Sequence, residues 1–483
     1  MTEHSLTRRE FLAALLGVAG AAGLAGCAGA QEVGAGPVVT SRNLTSVALG
    51  ARLRARAVDV DLGGRTVSTW AYGDTVPGIP LRVTAGDRVR VEVANELPVE
   101  TSVHWHGLAI GNDMDGVPGL TTPAIAPGGR FTYDFVVSDP GTHWFHPHTG
   151  LQLDSGLYAP LIVDDPREPG RYDKEWIVVL DDWTDGVGPS ADQIFARLTQ
   201  SAPESGDGMP MGRMDHGMGM VDGGDVDYPL LLVNGRPPSD PEVLRVKPGD
   251  RVRIRIINAG ADTVFTVAIG GHRLRVTHSD GYPVQPLETS AVRIGMGERY
   301  DVIVKVADGV FPLVAQPHGK PGYARALIRS GTGNVPDTAR PSELDTYPAD
   351  VSALRATPGA VLPGRDPDIT EDIILSGSMA PYRWTINGAV YGDARPLTVR
   401  PGQSMRLRLS NMSMMSHPIH LHGHSFQVGA AGGSGPRKDT ILIPPMAAVG
   451  VDLAADNPGR WMLHCHNAYH AEAGMMTRLE YTA

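Results

Sequence analysis

Apolar and polar residues alternate in short runs along this chain, and one such run occurs three times. Residues 83–95 read VTAGDRVRVEVAN, residues 246–258 read VKPGDRVRIRIIN and residues 399–411 read VRPGQSMRLRLSN. Each copy opens with a glycine-containing turn and continues with apolar residues at every second position, the mark of a half-buried strand. A repeat on this scale decides architecture. It predicts an all-β chain of three homologous domains, over residues 45–165, 172–330 and 368–483. Residues 331–367, rich in Pro, Asp and Ala, read as a linker between the second and third.

Composition supports this reading. The 59 glycines and 39 prolines among 483 residues favour short strands and many turns. A formal net charge of −11 argues against a nucleic-acid partner, which needs a clustered positive surface. There are only two cysteines, Cys27 and Cys465, and each has a separate reading, so no disulfide is expected. The N-terminal segment explains Cys27. Arg8 and Arg9 precede an apolar run that ends near Leu24, which reads as an export signal of the twin-arginine class. Leu24-Ala25-Gly26-Cys27 looks like a bacterial lipobox, with the cysteine as lipid anchor in the cell envelope. An uncleaved anchor or cleavage at another small residue is the alternative. Residues to about 44 form a tether rich in small residues.

The repeats give a frame for the histidines. Nine and eleven residues after Asn95 come His104 and His106, and at the same offsets from Asn411 come His420 and His422. The second copy has Val267 and Ile269 there. A second pair lies five and seven residues after a glycine: His146 and His148 follow Gly141, and His464 and His466 follow Gly459. The matching places after Gly309 hold Val314 and Gln316. His-x-His on a strand puts both imidazoles on one face, about 7 Å apart at the backbone. Eight such rings would repel when protonated and would waste buried polar groups when neutral, and a metal cluster removes both problems. Eight exceed the needs of one ion and suit three coppers, shared between the first and third domains.

One stretch ties this cluster to a second site. In residues 464–475, HCHNAYHAEAGM, Cys465 lies between two of the histidines. Side chains alternate faces along a strand, so Cys465 points away from His464 and His466. A thiolate, two imidazoles and a weak axial thioether form the ligand set of a blue-copper electron-transfer site. His417 and His470 supply the nitrogens and Met475 is the axial candidate. His143 and His424 are left over and read as supporting or surface residues.

These motifs resemble the multicopper oxidases, the laccase-like family of three cupredoxin domains, over almost the whole mature chain. The resemblance rests on His104-Trp105-His106-Gly107, Trp144-Phe145-His146-Pro147-His148, His417-Pro418-Ile419-His420-Leu421-His422, and the run from His464 to Met475. Within the family the chain is most similar to exported actinobacterial copper-resistance oxidases. The resemblance implies three Greek-key cupredoxin barrels and four copper ions. It implies type 1 copper on His417, Cys465, His470 and Met475, and type 2 copper on His104 and His420. The type 3 pair would take His106, His146 and His466 on one ion, and His148, His422 and His464 on the other. It also implies dioxygen as acceptor, reduced to two waters, with Cu(I) or phenols as donors.

Proton handling would fall to Asp115, where the family places a carboxylate, although Asp113-Met114-Asp115-Gly116 also reads as an ordinary turn. The family's second carboxylate directly follows the last type 1 histidine. That place holds Ala471 here, with Glu472 one residue later. Two methionine groups bear on the donor. Residues 209–220 pack five methionines and His216 into twelve positions, and Met412, Met414 and Met415 precede His417. Thioethers suit Cu(I), while incidental loop or core-filling methionines are the plain alternative. The expected function is therefore oxidation of Cu(I), of phenols or of both, coupled to dioxygen reduction and serving copper tolerance. A general laccase for aromatic donors and a non-catalytic copper scavenger are the competing readings.

Overall fold

The structure is a computed structural model, and it describes residues 49–168, 170–200, 223–336 and 340–483. The export signal, Cys27 and residues 209–220 lie outside the described residues. Among those described, no helix is long and apolar enough to cross a membrane.

Among the described residues, thirty strands form six sheets in three successive pairs. The first pair has four strands in each sheet, and the second and third pairs have six and five. The repeated runs become the strands Arg88–Asn95, Arg251–Asn258 and Ser404–Asn411. Each lies beside a parallel partner, with Ala55 opposite Asn95, Leu180 opposite Asn258 and Leu375 opposite Asn411. Their alternate apolar side chains fill three separate cores, around Val91, Ile254 and Leu407.

The asparagine that ends each repeat does the same work three times. Its side-chain NH2 donates to backbone carbonyls: Val99 and Ile125 from Asn95, Thr263 and Ile294 from Asn258, and Met415, Ile443 and Pro444 from Asn411. Its oxygen accepts from the backbone two residues on, at Leu97, Gly260 and Ser413. All three asparagines are buried. A buried corner must pair its backbone polar groups, and an amide side chain can satisfy donor and acceptors together. The corner hands the chain from one sheet to the facing sheet, nine residues ahead of His104 in the first pair and of His420 in the third.

Those histidine strands are short and fully buried. His104–His106 pairs antiparallel with Gly141–His146, placing His104 opposite His146. His417–Leu421 pairs with Arg460–Cys465, placing His420 opposite His464. The register is thus the same in the first and third pairs. In the second pair of sheets Val267, Ile269 and Val314 are buried at the corresponding positions.

Two further segments lie between the sheets. Residues 340–367 bury Leu354, Ala356 and Leu362, and the Ala356 amide donates to the Ser434 carbonyl. The helix Ala191–Gln200 buries Ile194 against the third core, where Phe195 meets Tyr382 edge-on.

Candidate metal centres

The Cys465 site is assembled from one strand start, one strand end and one short helix. His417 opens the strand His417–Leu421, Cys465 closes Arg460–Cys465, and His470 sits in the helix Ala468–Glu472. Asn467 caps that helix, its side-chain oxygen accepting from the backbone of Tyr469 and His470. Cys465 Sγ lies 3.7 Å from Nδ1 of both His417 and His470, and the two nitrogens are 3.0 Å apart. Met475 is fully buried behind them, its amide donating to the His470 carbonyl and its carbonyl accepting from Cys465.

The far nitrogens of both rings are occupied. His417 Nε2 meets Ser413 Oγ at 2.7 Å, and His470 Nε2 donates to Asp225 at 2.9 Å. Such outer partners fix which nitrogen faces the metal. Burial works against a positive charge on His470, yet Asp225 and Cys465 outweigh it and hold the imidazole up to about 10. The acidic neighbours of this buried site thus favour positive charge on His470.

The eight paired histidines converge in one cluster. His104 and His420 face each other through Nε2 at 3.4 Å, His422 and His464 at 3.1 Å, and His146 and His466 at 3.4 Å. His148 lies beside His422 and His464, with ring centres 5.0 and 4.9 Å away. His106 lies 5.0 Å from His466 and 5.7 Å from His146. Sets of three of these rings bring their nitrogens close enough to share an ion.

Most of the opposite ring nitrogens are again held, although the outer Nδ1 of His466 is buried without a hydrogen-bond partner. Nδ1 of His104 donates to the Asp115 carbonyl, that of His146 to Pro147, that of His420 to Asp439 and that of His464 to Cys465. His422 Nδ1 donates to the Asp115 carboxylate at 3.0 Å. His106 is turned the other way: Nε2 contacts Asp439 and Thr440, and the buried Nδ1 has no hydrogen-bond partner. Burial, reinforced by neighbouring imidazoles, pushes His106, His146, His148, His422, His464 and His466 well below the usual imidazole range. Neutral rings with inward nitrogens and an orphaned buried Nδ1 are what copper ions need, so the residues present fit the metal.

Asp115 is buried and touches two histidines, with its carboxylate also 3.3 Å from His104 Nδ1. Glu472 is exposed at the rim of a cavity of about 170 Å³ lined by His146, His148, His464 and His466. Met412 and Met414 are exposed on either side of Ser413. His143 and His424 are both buried; His143 Nε2 meets the Asp139 carbonyl, and His424 supports the cluster from outside. His424 Nδ1 donates to the His422 carbonyl, and its other nitrogen meets the Tyr481 hydroxyl. Sequence reasoning missed Asp225, Ser413, Asp439 and Thr440. Ser413 stands at an Asn corner ahead of a ligand strand and was within reach of the repeat argument. Asp225 and Asp439 come from other parts of the chain, and no spacing rule reaches them.

Three family models, each described as multicopper oxidase, match residues 55–168, 174–333 and 366–483. The chain is 52% identical over 437 residues to Multicopper oxidase MmcO of Mycobacterium tuberculosis (strain ATCC 25618 / H37Rv), covering 89% of this chain and 86% of that protein. It is 28% identical over 601 residues to Copper resistance protein A of Escherichia coli, covering 97% and 98%. A solved multi-copper oxidase from Pseudomonas thermotolerans superposes with a TM-score of 0.67 at 29% identity, over 91% of this chain and 100% of that one. Kinship along nearly the full length thus agrees with the donor geometry, and the chain belongs to the multicopper oxidases, copper-holding oxidoreductases that use dioxygen.

Proposed function

We propose that the protein oxidises Cu(I), and phenols more broadly, on four coppers and serves copper tolerance at the cell envelope. The observation that carries this reading is Cys465, whose sulfur meets two imidazole nitrogens while its chain neighbours His464 and His466 belong to the eight-histidine cluster. In this reading His417, Cys465, His470 and Met475 hold the type 1 copper, and His104 with His420 the type 2 copper. His106, His146 and His466 hold one type 3 ion, and His148, His422 and His464 the other. Bound there, copper supplies one-electron oxidation of the donor at the Cys465 site and four-electron reduction of dioxygen to water at the cluster.

The chain's own groups do the rest. The peptide bonds joining Cys465 to His464 and His466 give a covalent connection between the two sites. Asp225 accepts the His470 Nε2 proton and orients that ring. Asp115, buried against His104 and His422, is placed to hold a proton beside the cluster. Glu472, at the rim of the cavity that reaches the histidines, is placed to exchange protons with solvent. Exposed Met412 and Met414 beside Ser413 offer thioethers to an incoming Cu(I). Copper tolerance is supported by relatives called copper resistance protein A, in Escherichia coli and in Pseudomonas syringae pv. tomato. The paired arginines and Cys27 support twin-arginine export and a lipid anchor.

Oxygen uptake by the copper-loaded protein tests the reading, with a Cu(I) complex or a diphenol as sole donor and uncatalysed Cu(I) oxidation subtracted. Sustained uptake with Cu(I) is expected, and a chain lacking residues 209–220 should lose more of it than of diphenol oxidation. Uptake with the diphenol alone would make the protein a general laccase. Stoichiometric copper binding without turnover would make it a scavenger.

A further inference from the structure

The second pair of sheets brings no histidine to the cluster, yet its backbone and one of its arginines are packed against it. The turn at residues 295–298 places Gly297 beside two cluster rings. A Cβ there would lie 2.8 Å from the His466 ring and 3.1 Å from His106, and the backbone has φ +83°. Two residues on, Arg299 is fully buried. Its guanidinium makes a bidentate pair with Asp439 of the third pair of sheets, Nη1 to Oδ1 at 2.7 Å and Nη2 to Oδ2 at 2.6 Å. The same group donates to the carbonyls of Thr142, in the first pair, and Gly297. One side chain therefore touches all three parts of the molecule.

Asp439 passes this fixation to the cluster. Its carboxylate lies 3.1 Å from His106 Nε2, and its carbonyl accepts from His420 Nδ1 at 2.9 Å. Thr440 next to it contacts both rings, at 3.0 and 3.1 Å. Asp280, from the second pair, accepts from the amides of Asp439 and Thr440 and pairs with Lys438. The sequence leaves room for the pair. Gly107, directly after His106, has φ +85°, and a Cβ there would run into the Arg299 guanidinium and the Asp439 carboxylate.

We propose that Arg299 and Asp439 are positioning residues for the trinuclear cluster. Arg299 holds Asp439, and Asp439 sets the His106 and His420 rings so that Nδ1 of the first and Nε2 of the second face copper. The second domain thus governs copper loading at a site to which it contributes no ligand. This rests on the copper reading of the eight histidines. A planar bidentate fork suits the task better than a point charge, because it fixes the plane of the carboxylate as well as its distance.

The test is equilibrium copper binding to the full chain, against a competing chelator, for wild type, Asp439→Asn, Arg299→Met and the double variant. Paramagnetic resonance follows the cluster, and the blue absorption of the Cys465 site is the internal control. Asp439→Asn should weaken copper binding at the cluster about 10–100-fold, as loss of an outer partner does, and leave the blue band unchanged. The double variant should bind no worse than Asp439→Asn, because Arg299 acts through Asp439. Should Arg299→Met not fold, the double variant, which removes both charges of the pair together, carries the comparison with Asp439→Asn. Wild-type binding and resonance in Asp439→Asn would overturn the proposal, and so would a parallel loss of the blue band and of thermal stability, which marks a purely structural role. A wild-type chain that loads no cluster copper would instead sink the copper reading itself.

Discussion

Asp225 accepts from His470 Nε2 at 2.9 Å and from the Tyr382 hydroxyl at 2.7 Å. A carboxylate on the outer nitrogen makes an imidazole a better donor, and a better donor favours the more highly charged, oxidised metal. Asp225→Asn should therefore raise the reduction potential of the Cys465 copper, on the order of 60 mV if the preference shifts tenfold for one electron. A redox titration followed at the blue band measures this, and an unchanged or lower potential would refute it. The meeting of Cys465, His417 and His470 was legible in the sequence, because residue types that suit a metal leave a compositional mark. Asp225 was not, because an aspartate after a glycine pair in a polar stretch has no mark of its own.

The asparagine corners were legible only as the last letter of a repeat, and their bonding explains why that letter persists. Asn258 and Asn411 make equivalent bonds, but only the corner at Asn411 leads into a ligand strand, through Ser413 and its contact with His417. Replacing either by Leu strands buried backbone groups, at about 1–3 kcal/mol for each. The two variants should then differ in kind. Asn258→Leu should lower the unfolding midpoint and leave the blue absorption intact. Asn411→Leu should lower stability and also shift or weaken that absorption, because Ser413 and His417 move with the corner. Equal spectra in both would show that the corner does not position the ligand. Strand positions followed from alternation, whereas the helix Ala191–Gln200 was not foreseen. A single amphipathic turn-rich segment among so many strands gave too short a period to read.

Where the three pairs of sheets meet, charge is buried on a scale no local pattern announces. Asp301 is enclosed by Arg253, Arg255 and Thr142, the last from the first pair of sheets. Burial would raise its carboxyl, but the two guanidiniums outweigh it and hold Asp301 far below the usual range. Nearby, burial pushes the His143 imidazole down to about 3, with Arg299 adding to it. Both signs run the same way. An unfolded histidine takes its proton near pH 6.5, and the folded one does not until about 3, so stability falls as pH drops through that interval. The Asp301 contribution is complete above the unfolded value of about 3.9 and is lost as pH falls further. Between pH values of about 6 and about 4, His143 should contribute close to 1.4 kcal/mol per pH unit. Denaturant unfolding of His143→Gln over that range should show a shallower slope by about one proton, and an identical slope would remove His143 from the account.

The two halves of the histidine cluster are far apart in the order of synthesis. His104 and His420, which face each other across it, are separated by 316 positions, and His146 and His466 by 320. A ribosome that has finished the first half has made four of the cluster's histidines and nothing for them to face. In the proposed copper reading, metal taken up early would meet an incomplete set of ligands, so full metallation follows the last strands rather than guiding the first. Metal content then becomes a timestamp: a chain that carries its full copper is one whose translation and folding have both finished.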